Sequence, residues 1–181
     1  FLPDLTRLAS GSSTTNLPGP HIGNIDSKCK PSLQKTAITM KTNMEDALET
    51  FQLDERLARD SVLVTRLGLC ELRLQNDSRW PWLVLVPQRD GVSELFDLTP
   101  LDQAVLTFET NLVASALKDI TGATKINVGA LGNIVRQLHV HIIARNEGDT
   151  CWPGPIWGHG TAVPYAAGEK ESLMKKISGA L

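Results

Sequence analysis

Ten residues, Arg136 to Arg145, constrain this chain more than any others. Leu138, Val140 and Ile142 recur at every second position, with Gln137, His139 and His141 between them. Side chains on a strand point alternately to its two faces, so the pattern predicts a strand with one apolar and one polar face. Neighbours on the polar face stand roughly 6.5–7 Å apart. A slip of one residue would bury the histidines and expose the leucine, so the apolar face fixes the register. A core strand that gives one face to two imidazoles and a carboxamide reads as the floor of a site.

The sequence before this strand divides into short elements. Helical spacing runs from Asp46 through Phe51, Leu53, Leu57 and Ala58, and Asp54 can cap a short helix through Leu57. Strands are predicted over 61–67, 70–75 and 82–87, with turns at Gly68 and at Asn76 to Ser78. The run Trp82 to Pro87 is nearly all apolar, hence buried on both faces, and the close spacing of the three strands predicts an antiparallel meander. Thr99 is placed as an N-cap, with Pro100 at the first helical position and Asp102 near the positive end of a long helix. Leu101, Ala104, Val105, Phe108, Leu112 and Ala116 form its apolar stripe, and Gly122 ends it. A fourth strand is predicted over 124–129, a loop over 130–133, the histidine strand fifth, and an amphipathic helix from about Glu169 to Ile177. The fold class that follows is α+β: an antiparallel sheet of about five strands, one long helix across it and a short C-terminal helix.

Composition narrows the function. The 181 residues, 41% hydrophobic and 21% charged, suit one globular domain with a core. The net charge is -2, without the basic stripe of a protein that binds long nucleic acid, though a small phosphorylated ligand remains open. Cys29, Cys70 and Cys151 are few and widely spaced, which points to a reducing compartment rather than a disulfide framework. No apolar run has the ~20 residues that span a bilayer. Residues 1–43 are rich in Ser, Thr, Pro and Gly without periodicity and read as a disordered or non-native extension. An organellar targeting peptide is the alternative, but the segment lacks an Arg-rich amphipathic helix. The domain is expected over 44–166, with a helical tail over 167–181, in a cytoplasmic protein.

Two histidines two apart on a strand suit three roles. One is zinc, which would need a third ligand from Cys151, His159 or Asp149. Another is nucleophilic catalysis by a neutral imidazole whose other nitrogen is held by an acceptor. The last is a solvated polar sheet face with no chemistry. The preceding loop weighs against that last reading, because Gly129, Gly132 and the amides around Asn133 can approach an anion closely.

The run Gln137, Leu138, His139, Val140, His141, Ile142, Ile143 resembles the His-φ-His-φ-His-φ-φ signature of the histidine-triad superfamily, with φ apolar. The resemblance extends back through Asn127, Gly132 and Asn133 to the strand at 82–87, and forward to Trp152, Pro153 and Gly154, covering roughly residues 45–160. It implies an antiparallel sheet with a long helix, a homodimer, no cofactor or metal, and hydrolysis or transfer of a nucleotide at its α-phosphate. Substrates of the dinucleoside polyphosphate or nucleoside phosphoramidate type would follow. On this resemblance His139 is the nucleophile that forms a nucleotidyl-imidazole, and His141 shapes the phosphate site and handles the leaving group. Asn127, Gly132 and Asn133 would contact phosphate, Asn76 or Asp77 the ribose hydroxyls, and Leu74 and Trp82 the base.

The chain departs from the family pattern at several of these places. Gln137 stands where the first histidine is expected, and a carboxamide hydrogen-bonds but carries no proton. Ile134 replaces a hydroxyl residue, Pro81 and Trp82 a Gly-His pair, and Arg89 a His. The missing first histidine motivates a second reading, a nucleotide-binding module without turnover. Trp152 or Trp157 could close over the site.

Overall fold

Asp54 opens the first helix, its carboxylate accepting the backbone N–H of Arg56 at 2.8 Å as an N-cap. The fold is a computed structural model that describes residues 51–181. The extension over 1–43, the domain start at 44 and the helical spacing from Asp46 lie outside the described residues.

The elements are helix α1 (Glu55–Asp60), strands β1 (Ser61–Arg66), β2 (Cys70–Gln75) and β3 (Trp82–Pro87), a 3-10 turn (Leu95–Asp97), helix α2 (Pro100–Thr121), strands β4 (Lys125–Gly129) and β5 (Val140–Arg145), and helix α3 (Glu169–Ser178). The five strands form one sheet in the order β1-β2-β3-β5-β4, and every neighbouring pair is antiparallel. This is the expected α+β layout. Thr99 accepts the N–H of Asp102, Pro100 opens α2, and Gly122 closes it, as the sequence indicates.

One sheet face carries Leu72, Leu74, Leu83, Leu85, Val140 and Ile142, packed with Leu138 against Leu106, Val113 and Leu117 of α2 and Ile177 of α3. The other face carries Val84 and Val86 of β3, packed with Leu57 of α1 and Val135. Strand β3 is therefore buried on both sides, in keeping with its unbroken apolar run. Ile177 is sealed in the core, so the helix expected as a tail over 167–181 is part of the packed domain.

Two expectations need correction. The stripe assigned to the core on α2 is turned largely outward: Leu101, Phe108 and Leu112 are exposed, while Leu106, Glu109, Val113 and Leu117 are buried. Glu109 explains the rotation. Its carboxylate accepts the N–H groups of Leu69 and Cys70, at 2.7 and 3.0 Å, and so fastens α2 to the β1–β2 turn. The histidine strand is also shorter than its alternation suggests, beginning at Val140. Leu138 instead donates its N–H to the carbonyl of Val92, and the chain leaves the ladder before Gln137.

Candidate active site

Strand β5 and the residue before it bring His141 and His139 onto the face opposite α2, 8% and 7% exposed, with ring centroids 4.8 Å apart. Nδ1 of His139 lies 2.7 Å from the carbonyl oxygen of Gln137. A carbonyl only accepts, so in the neutral ring Nδ1 carries the proton and the lone pair resides on Nε2. His141 is held in the opposite tautomer. The indole N–H of Trp82 lies 3.0 Å from its Nδ1, and an indole only donates, so His141 carries its proton on Nε2. The register pairs Val84 with His141 and Trp82 with Ile143, which makes Trp82 the diagonal neighbour on the same face. Burial, then the neighbouring His139, push His141 down to about 3, so it is a neutral donor across the physiological range.

Gln137 does not join this row. Its Oε1 accepts the backbone N–H of Asp54 at 2.9 Å and its Nε2 donates to the carbonyl of Gln52 at 2.8 Å. The carboxamide thus clamps the segment before α1, and Arg56 adds a bond to the carbonyl of Ile134. Alternation places Gln137 on the histidine face only if the strand continues to it, and it does not.

Two cavities meet at His139. One, of about 390 Å³, runs past Arg56, Asp60, Gln75, Trp82, His141 and Trp157. The other, of about 570 Å³, runs past Glu94, Phe96 and Arg136. Both are lined by Leu131, Gly132, Asn133 and His139, so the loop and the free Nε2 stand where they join. Gly132 has a φ of 69°, a conformation that brings loop amides close together at low cost. Gly129 serves a different purpose from the expected anion contact: a Cβ there would lie 3.0 Å from the ring of Trp157, which packs into the gap beside His141.

The structure brings together His139, His141, Trp82, Gly132 and Asn133, and leaves other expected residues outside. Leu74 points into the core against α2. Asp77 is buried, paired with Arg79 at 2.6 Å and accepting the N–H of Val163. Arg79 holds its carboxyl below the usual range against the opposing cost of burial. Asn76 lies past the end of β2, its N–H on the carbonyl of Asp60. Asn127 lines neither cavity, its Oδ1 accepting from the buried Arg145 at 3.4 Å. Side chains alternate along β2, so the residue that reaches the cleft at its end is Gln75, one place from Leu74 and from Asn76. Gln75, Arg56 and Asp60 are among the cleft residues the sequence did not announce. The period-two pattern of β2 could have marked Gln75. Nothing local marks the two from α1, which depend on the clamp at Gln137.

The third ligands of the zinc reading are engaged elsewhere. Asp149 pairs with Arg145 at 2.7 Å, the thiol of Cys151 donates to the carbonyl of Pro155, and His159 packs on Trp80. No group of three metal-ligating side chains gathers among the described residues.

Residues 56–148 match the model of the HIT domain family. The chain belongs to that family. Similar solved HIT structures include one from Sinorhizobium meliloti, 63% identical, covering 74% of this chain and 99% of the other with a TM-score of 0.73. Another, from Marinobacter aquaeolei, is 42% identical over 72% of this chain and 96% of its own, with a TM-score of 0.71. A curated relative, the AP-4-A phosphorylase of Mycobacterium tuberculosis, is 38% identical over 73 residues, which is 37% of either chain. The match therefore spans little more than a third of that relative's length. Among the described residues of this HIT protein, no helix is long and apolar enough to cross a membrane.

Proposed function

We propose that this HIT protein hydrolyses or transfers nucleotides at the α-phosphate through a covalent nucleotidyl-His139 intermediate. The observation that carries this reading is the 2.7 Å bond from Nδ1 of His139 to the carbonyl of Gln137, which in the neutral ring leaves Nε2 with its lone pair as the nucleophile, on a residue that lines both cavities. The same bond stabilises the positive charge the ring acquires once phosphorus is attached. Gly132 and Asn133 are assigned to the phosphate oxygens and Nε2–H of His141 to a third contact. Gln75, Asp60 and Trp82 are assigned to the nucleoside. The substrate class is a dinucleoside polyphosphate or a nucleoside phosphoramidate, and the name of the AP-4-A phosphorylase relative supports the first. The protein is assigned to the cytoplasm and to a homodimer.

Replacing His139 by Ala should abolish adduct formation and lower turnover of dinucleoside polyphosphates by at least ~10³-fold, with no effect of a chelator. Retained turnover in His139→Ala would overturn the mechanism. The clamped Gln137 favours a second reading, binding without turnover. Tight nucleotide binding with neither adduct nor product in the wild type would select it.

A further inference from the structure

We infer that the described residues of the cleft supply no proton donor for the leaving group, so that its substrates are phosphoric anhydrides, which depart as stabilised anions, and not nucleoside phosphoramidates, whose amines depart only once protonated. The inference rests on the covalent reading above and narrows its substrate.

Three side chains could have supplied the proton. Gln137 has no acidic proton, and both ends of its carboxamide are spent on the backbone of Gln52 and Asp54. His139 is the nucleophile, and its one proton is on Nδ1, facing Gln137. His141 would have to be doubly protonated to act as an acid. A second proton on Nδ1 would meet the indole N–H of Trp82 head-on, and the ring is enclosed by His139, Trp82 and Trp157. Trp82 is therefore a positioning residue: it fixes His141 as a hydrogen-bond donor that never releases its proton.

The carboxyl groups at and beside the two cavities are held by neighbouring groups. Asp60 is paired with Arg59 at 2.7 Å, and Asp54 with Arg56 at 3.0 Å. Glu94 accepts the N–H of Asp97 in a capping box. Arg56 and Arg136 do not give up protons near neutrality. Exposed Arg136 lies in the cavity beyond the junction, where a cation suits an anionic leaving group.

The chemistry balances without an acid. Nε2 of His139 gives its lone pair to the α-phosphorus, the bond from phosphorus to the bridging oxygen breaks, and that oxygen leaves with the electron pair as a phosphate anion. Water then attacks phosphorus, the P–N bond breaks with its pair returning to Nε2, and the proton of the water passes to solvent. A phosphoramidate follows the same path only if its nitrogen is protonated first.

The test uses the full chain and single-turnover formation of the His139 adduct. The substrates are diadenosine tetraphosphate, adenosine 5′-phosphoramidate, and aryl esters of AMP whose leaving groups rise in basicity. Without an acid the rate should fall roughly tenfold per unit of leaving-group basicity, and the phosphoramidate should react at least ~100-fold more slowly than the anhydride. A flat dependence, or a phosphoramidate that reacts as fast, would overturn the inference and leave the covalent reading standing. No adduct from any substrate would overturn both. Nitrogen-15 spectra of the histidine rings read the lock directly. His141 should remain the Nε2–H tautomer from pH 5 to 8 in the wild type and become titratable in Trp82→Phe. A spectrum unchanged by Trp82→Phe, or a titrating His141 in the wild type, would also overturn the inference.

Discussion

Gln137 orients His139 with its backbone carbonyl, 2.7 Å from Nδ1, while its side chain turns away to the residues before α1. The two functions separate under mutation, because every residue type keeps the carbonyl. Gln137→Ala should preserve the Nδ1–H tautomer of His139 yet lose two hydrogen bonds, costing about 1–2 kcal/mol of stability. The freed segment carries Arg56, so KM should rise as well. Denaturant unfolding and steady-state kinetics check both effects. Unchanged stability would mean that the carboxamide is no clamp.

The enclosure of His141 makes stability depend on pH. Its folded pKa, about 3, lies below the ordinary histidine value of 6.5, so the unfolded chain takes up the extra proton. The contribution of the neutral ring is complete above about pH 6.5 and is lost as pH falls toward 3. Between pH 7 and pH 5 the wild type should lose on the order of 2 kcal/mol that a His141→Gln variant does not. Unfolding curves for the two proteins at both pH values give the difference directly. Parallel pH dependences would show that His141 titrates as freely in the fold as out of it.

Glu109 is the buried polar side chain on which the placement of α2 depends. Glu109→Leu would leave the N–H groups of Leu69 and Cys70 without their acceptor and should destabilise the protein by about 2–4 kcal/mol. Glu109→Gln keeps one acceptor oxygen and should cost less. Equal losses from the two variants would mean that packing, not the pair of hydrogen bonds, is what Glu109 supplies.

These residues also mark where the sequence was and was not readable. Strands β2 and β3, the caps of α2 and the placement of His139 and His141 follow from local signals: alternation, an apolar run, a Thr-Pro start and a glycine stop. What failed was long-range. The carboxamide of Gln137 is committed to residues more than eighty positions earlier, and no local pattern announces that. The outward turn of α2 failed for a related reason. The buried side of the helix is interrupted by Glu109, and the two N–H groups that pair with Glu109 lie in a distant turn, so nothing local marks it as the core face.

The stripe left outside is the strongest reason to expect a homodimer. Leu101 is 73%, Phe108 67% and Leu112 37% exposed along α2. Val128, half exposed, lies on β4 at one end of the sheet order, across a groove from Gln103, Thr107 and Asn111 on another flank of α2. An exposed apolar stripe along a helix is costly in water, and a second copy would cover it by packing helix on helix. The wild type should therefore sediment at twice the 19.7 kDa of one chain at micromolar concentration. Phe108→Glu, at an exposed position, should shift the protein to monomers while leaving its circular dichroism spectrum unchanged. A wild type that stays monomeric at roughly 100 μM, where even a weak dimer with a Kd near 10 μM would be mostly assembled, would rule the interface out.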